Sequence, residues 1–308
     1  MTDNMSDKKI TYYSLSGNTE EDKKLLEPVK YISQCELNNL SKNCTNIFNY
    51  WLQVSPENLQ QIDEILSILF KSCLLLDDIQ DKATYRGDFP VANSIYGIGN
   101  TINAANYAQM NALEKMGTIH PEAIKITIEG LQEFYRGQGL DMYWKENYIC
   151  PTEEEYKMVA RKCGWFPRLA YKLMKLFSLY EEDLSPLINN IALYYQINDD
   201  YCNLCEETDD DHNYCSDLSE GKFSFPVIHA ITRNPEDKQI LNILKQRTTD
   251  RKMKRYCVNL LESFGSLKYT KDVFKKLKKE MEIEIERLGG HPLFLSFLAL
   301  KNCKSTIP

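Results

Sequence analysis

Leu74-Leu75-Leu76-Asp77-Asp78-Ile79-Gln80-Asp81 joins an apolar run to an acidic cluster, and a second cluster of the same form, Asp199-Asp200-Tyr201-Cys202-Asn203, follows about 120 residues later. Residues four apart share a helix face. Asp77 and Asp81 therefore point one way, and Asp199 and Asn203 do likewise on the second segment. Two such helices facing one another offer hard oxygen ligands across a gap. That suits magnesium held by a few carboxylates together with the phosphates of a bound molecule.

The apolar residues around both clusters recur at intervals of three and four. This spacing predicts helices over Ile62 to Leu76, Thr101 to Lys115, Glu122 to Tyr143, Glu153 to Ser178, Leu187 to Leu204 and Tyr269 to Leu288. No strand pattern competes. Breaks fall at Pro90, at Gly97 to Gly99, at Pro151-Thr152 ahead of a Glu-rich helix start, and at Gly289-Gly290. The expected fold is all-α, a bundle of ten or more helices. Residues 1–21 are polar and read as a mobile N-terminal segment, and 22–308 as a single domain. The Asp-rich run Glu206 to His212 reads as a loop.

The chain has 308 residues, 43% of them hydrophobic, enough to bury one large core. A net charge of -7 argues against a nucleic-acid surface, because no basic excess is present to neutralise a phosphate backbone. The N-terminal stretch has no apolar signal core, and no run approaches the ~20 apolar residues a membrane span needs. A cytoplasmic location is expected, with the ten cysteines reduced. Cys202, Cys205, His212 and Cys215 have zinc-type spacing, but Cys202 lies inside the second acidic cluster, where a helix is expected to run. Reduced core cysteines are the preferred reading.

The first cluster continues as DDIQDKATYRGDFPVANSIYG, and the second sits in YYQINDDYCNL followed by DLSEGKFSFP. With GQGLDMYW and CPTEEEYKMVARKCG, these strings closely resemble the trans-isoprenyl diphosphate synthase family, in particular the animal geranylgeranyl diphosphate synthases. The resemblance spans roughly Pro28 to Leu298. It implies the isoprenoid synthase fold, a helical bundle around a central cavity, a prenyl diphosphate substrate held there through three Mg2+ ions, and a homo-oligomer, a dimer or higher. The matching metal ligands are Asp77, Asp78 and Asp81 with Asp199, Asp200 and Asn203. Arg86, Lys162 and Lys222 are the implied cations, and Gln138, Asp141 and Gln196 the implied polar contacts. A leaving diphosphate needs cations to take up its growing charge, which makes preorganised positive groups in a dry site the strongest available lever.

The chain also departs from the family. Members that elongate chains hold isopentenyl diphosphate with a Gly-Lys-x-x-Arg segment, a histidine before the first motif and the second arginine of an Arg-Arg pair after it. Here those places hold Leu37-Asn38-Asn39-Leu40-Ser41, Phe70 and Gly87; Lys42 reaches the first arginine's place only by a one-residue register change. Each lost charge-assisted contact costs ~1.5–3 kcal/mol. Three or four losses weaken that binding by a factor of at least ~1000. His212 stands about where a further phosphate-binding lysine is usual, and Cys163 replaces the threonine after Lys162.

With the allylic site kept and the nucleophile site erased, ionisation yields a cation that must lose a proton, add water or cyclise. The chain is similar in this respect to animal, notably insect, terpene synthases that arose from isoprenyl diphosphate synthases. The favoured reading is geranyl diphosphate going to an acyclic monoterpene such as ocimene or myrcene, with farnesyl diphosphate next and the departing diphosphate as base. Phe70, Phe134, Tyr135, Trp165 and Tyr195 are candidate cation-stabilising aromatics. Trp165, also a candidate substrate contact, is expected to narrow the cavity, while the small Ser72 and Cys73 leave its floor open. Chain elongation through a rebuilt site and a non-catalytic regulatory subunit are the rival readings.

Overall fold

The computed structural model describes residues 19–34, 38–206, 208 and 214–292, with side chains for all of these except 38–41, 159 and 161–163. The chain is all-α. Fourteen helices lie among the described residues: α1 (Glu20–Leu25), α2 (Glu27–Ile32), α3 (Asn38–Leu52), α4 (Pro56–Gln80), α5 (Ala92–Tyr96), α6 (Ile98–Ile119), α7 (Ala123–Asn147), α8 (Glu153–Lys175), α9 (Ser185–Cys205), α10 (Ser216–Glu220), α11 (Phe225–Arg233), α12 (Gln239–Gln246), α13 (Arg251–Ser263) and α14 (Ser266–Arg287).

Local chemistry sets the helix ends. Ser55 caps α4 by accepting from the Asn58 N–H, and Pro56 takes the first turn, where no donor is needed. Thr152 and Glu155 form a reciprocal capping box at the start of α8, and Asp250 caps α13. Thr19 and Asp22 form a second capping box at the start of α1. Composition registers low apolar content there but not the cap. Residues 1–18 lie outside the described residues.

The helices form a layered bundle. α4 packs on α6 and α8, α7 on α6 and α8, and α9 on α8 and α14. One buried apolar cluster runs from Cys44 on α3 to Leu288 beyond α14, and a smaller one joins Ile32 to Leu75, Leu76, Ala92 and Ala105. No helix among the described residues is long and apolar enough to cross a membrane.

The sequence reading has no strand, and the structure adds a small hairpin between α4 and α5. β1 (Tyr85–Arg86) pairs antiparallel with β2 (Phe89–Pro90) across Gly87-Asp88. Gly87 sits at φ +60°, a left-handed conformation that glycine adopts without a Cβ penalty. Two residues per strand are too few to show an alternating pattern. The Tyr31 hydroxyl donates to Pro90 O at 2.8 Å, tying the hairpin to α2.

Candidate active site

The apolar face of α4 buries Leu69, Cys73 and Leu76 and carries Asp77 and Asp78 into the site on its last turn. The helix ends one residue before Asp81, which caps it through a 2.8 Å backbone bond to Asp77 O. Arg86 reaches back from the hairpin: Nε and Nη2 donate to Asp78 Oδ1 at 3.0 and 2.6 Å, and Nη2 lies 3.4 Å from Asp77 Oδ2. Asp78 is buried with Oδ2 unpartnered. Burial pushes its pKa up against the pull of Arg86. Asp78 and Arg86, expected as metal ligand and diphosphate contact, thus hold each other and orient the last turn of α4.

One face of α7 presents Phe134, Gln138, Asp141 and Lys145 at spacings of four, three and four. Gln138 Nε2 donates to Asp81 Oδ1 at 3.2 Å, and its buried Oε1 has no hydrogen-bond partner. Lys145 was not singled out from the sequence, although it continues the Gln138–Asp141 stripe by one turn. Its ammonium lies 2.7 Å from Asp81 Oδ1 and 3.0 Å from Asp141 Oδ2. Burial works against the charge, Asp141 and Asp81 outweigh it, and the pKa is raised.

On α9, Asp199 is exposed and Asp200 fully buried. Asp200 accepts from Tyr156 Oη at 2.6 Å, Phe225 N at 2.8 Å and Gln196 Nε2 at 3.0 Å, and pairs with Lys222 Nζ at 3.0 Å. Both oxygens are thus committed to protein donors. Asp200 fixes Lys222, and Gln196, expected to contact substrate, bonds Asp200. Asn203, expected as a metal ligand, accepts from Asp217 N at 3.1 Å and donates to Ser216 Oγ at 2.8 Å, which fastens the start of α10. Lys222 Nζ also lies 3.1 Å from Asp217 Oδ2. Lys162 sits on α8, but its side chain, like that of Cys163, lies outside the described residues, as does His212.

The two halves share one electrostatic field. The Glu220 carboxyl is pushed up by burial first, then by Asp217 and Asp81, with Lys222 and Lys145 pulling the other way. Asp217 is raised by burial, with Lys222 opposing and Asp200 and Asp199 adding to the rise. Eight carboxyl groups (Asp77, Asp78, Asp81, Asp141, Asp199, Asp200, Asp217, Glu220) thus meet the three described cations Arg86, Lys145 and Lys222. Among the described residues no three His, Cys, Asp or Glu side chains form a ready-made metal cage. Magnesium does not need one: it keeps several waters and combines one or two carboxylates with substrate phosphates. The acidic excess, its all-oxygen chemistry and the unpartnered Asp78 Oδ2 and Gln138 Oε1 fit such an ion.

Aromatic side chains lie below the charged rim. Phe70, two turns before Asp77, meets Phe166 with ring centres 4.9 Å apart. Trp165 lies against Phe134 and Phe166, with ring centres 5.5 Å from each, and lines a pocket with Glu129, Glu133, Arg168 and Lys172. Ser72 turns its hydroxyl to Leu69 O at 2.7 Å, and Cys73 meets Gln109 Nε2 at 3.8 Å. Gln109 Oε1 accepts from Tyr135 Oη at 2.7 Å, so a polar chain runs from Cys73 through Gln109 to Tyr135. Tyr195 lies beside Tyr194, and its pKa is raised by burial first and then by Cys44 of α3.

A polyprenyl synthetase family model matches residues 22–261. The chain is 46% identical to a terpene synthase of Matsumurasca onukii over 92% of this chain and 94% of that protein. It is 37% identical to a geranylgeranyl pyrophosphate synthase of Mucor circinelloides f. lusitanicus over 92% and 94%. With one of Dictyostelium discoideum it shares 39% over 91% and 93%. The paired acidic clusters, the cations that answer them and these likenesses over nearly the whole length together make the chain a member of the polyprenyl synthetase family.

Proposed function

We propose that this protein is a terpene synthase that ionises a prenyl diphosphate, geranyl diphosphate first and farnesyl diphosphate next, and releases an acyclic monoterpene of the ocimene or myrcene type. The carrying observation is the state of the isopentenyl diphosphate berth. Where the resemblance calls for a histidine, Phe70 packs on Phe166, and where it calls for an arginine, Gly87 turns the hairpin at φ +60°. Neither offers a charge. The terpene synthase of Matsumurasca onukii supports the same direction.

In this reading Asp77, Asp81 and Asp199 hold magnesium, which when bound supplies positive charge to the leaving diphosphate. Lys222, fixed by Asp200 and Asp217, donates N–H bonds to the diphosphate oxygens as the carbon–oxygen bond breaks. Lys162 on α8 is assigned to the same oxygens. Arg86 keeps Asp78 and Asp77 in register. Phe70, Phe166 and Phe134 exclude water and turn π-faces to the cation. The same reading carries a homo-oligomer, supported by the exposed apolar stripes Ile98, Ile102 and Met110 on α6 and Ile124 and Ile128 on α7. Sedimentation of the parent and of Ile128→Lys checks it, with a shift toward monomer expected.

Chain elongation is favoured by one observation. Lys71, next to Phe70 in the chain, is partly buried, so a basic side chain follows the position where the resemblance calls for a histidine, although desolvation lowers its pKa and works against its charge. Incubation with magnesium and geranyl, farnesyl or geranylgeranyl diphosphate, followed by mass spectrometry of extractable products, separates the readings. A hydrocarbon from geranyl diphosphate alone is expected. Longer diphosphates, formed only when isopentenyl diphosphate is added, overturn the proposal.

A further inference from the structure

We propose that Lys145 is an internal cation that holds Asp81 in the resting site and yields it to a metal ion only when the metal arrives with a diphosphate. The inference rests on the functional reading above and adds to it an order of loading.

All three described cations of the site are engaged with its own carboxylates: Arg86 with Asp77 and Asp78, Lys222 with Asp200 and Asp217, and Lys145 with Asp81 and Asp141. Two of these arrangements are anchored. Arg86 grips the buried Asp78 with two N–H groups, and Lys222 faces an Asp200 already held by Tyr156, Gln196 and Phe225 N. The Lys145 pair is built differently. Asp141, on the same helix, holds the ammonium from one side at 3.0 Å, and Asp81 meets it from the other at 2.7 Å. Asp81 Oδ1 also accepts from Gln138 Nε2, so it keeps a partner when Lys145 leaves.

A metal ion bound at Asp81 must compete with that ammonium for the same oxygen. Magnesium sheds water reluctantly, and two carboxylates brought together without a cation between them are costly when buried. A metal ion alone gains one carboxylate and takes from the ammonium its 2.7 Å partner, leaving it the Asp141 contact at 3.0 Å. A metal ion carrying a diphosphate brings its own oxygens as ligands and gives the displaced ammonium, still tethered by Asp141, a new anionic acceptor. Metal and diphosphate then favour each other's binding, a coupling that is reciprocal by linkage.

The test is Mn2+ binding followed by the free-ion electron paramagnetic resonance signal, with and without inorganic diphosphate. The parent is expected to bind Mn2+ weakly alone and far more tightly with diphosphate. Lys145→Met is expected to bind Mn2+ alone roughly tenfold or more tighter and to gain correspondingly less from diphosphate. Mn2+ alone should also raise its melting temperature more than the parent's. Asp141→Asn, which turns Lys145 wholly toward Asp81, is expected to bind Mn2+ alone more weakly than the parent. Lys145→Met binding no tighter than the parent overturns the proposal. Should Lys145→Met fail to fold, Asp141→Asn decides alone, and unchanged or tighter binding overturns the proposal. A parent that binds no Mn2+ even with diphosphate overturns the functional reading as well, whereas parent binding with an unshifted variant overturns only the role of Lys145.

Discussion

Asp199 and Asp200 are adjacent in the chain and have opposite surroundings. Asp199 is exposed, while Asp200 is sealed under four donors from α8, α9, α11 and the segment before α11. Their substitutions should therefore differ in kind. Asp199→Asn is expected to leave the denaturation midpoint in place and raise the magnesium concentration needed for half-maximal turnover. Asp200→Asn is expected to lower stability by about 3 kcal/mol, because it leaves the buried Lys222 short of a partner, and added magnesium should not restore it. Tyr156→Phe removes one bond to a charged acceptor and should cost about 1.5–3 kcal/mol in urea unfolding. The two acidic clusters were legible in the sequence, as was their oxygen-ligand chemistry. Which aspartate faces solvent was not, because the donors to Asp200 come from Tyr156 and Phe225, 44 and 25 residues away.

Helix ends were read well at Thr152 and Gly289, where a cap or a glycine marks them, whereas α4 starts at Pro56, six residues before the Ile62 expected from the apolar spacing. The hairpin was missed, and with it the reason Arg86 faces back toward α4. Gly87 has nothing within 4 Å of where a Cβ would stand, so its constraint is conformational and not steric crowding. Gly87→Ala should cost about 1 kcal/mol and lower turnover by loosening Arg86, as read from kinetics beside thermal unfolding. The same φ explains why an arginine there would meet strain in this hairpin. Lys145 was within reach of periodicity, since it extends the Gln138–Asp141 face, but only the tertiary fold brings it to Asp81. Gln109 on α6 links Cys73 of α4, one turn before Asp77, to Tyr135 of α7. Gln109→Ala should open space there and shift preference from geranyl toward farnesyl diphosphate, measured as the ratio of kcat/KM values.

Across the whole molecule, the helical class and the division between a charged rim and an aromatic interior follow from the sequence pattern. The field that couples the two halves required the fold. Asp217 and Glu220 have carboxyl pKa values raised to about 7 and about 8, burial being the first cause. The folded state therefore binds more protons than the unfolded chain above the ordinary carboxylate range, and stability falls as pH rises through those values. The lowered pKa values of His229 and His291 act in the opposite sense, but only below their ordinary value of about 6.5. Melting temperature without magnesium should accordingly fall between about pH 6.5 and 8, and magnesium with inorganic diphosphate should flatten the decline. A flat profile in the metal-free protein would contradict the shared field.

The proposed activity breaks the carbon–oxygen bond of a prenyl diphosphate without seating a five-carbon acceptor. Isotope-labelled isopentenyl diphosphate supplied with geranyl diphosphate and magnesium tests it most directly. Diphosphate release at an unchanged rate is expected, with a hydrocarbon product carrying no label. Label recovered in a longer prenyl diphosphate would contradict it.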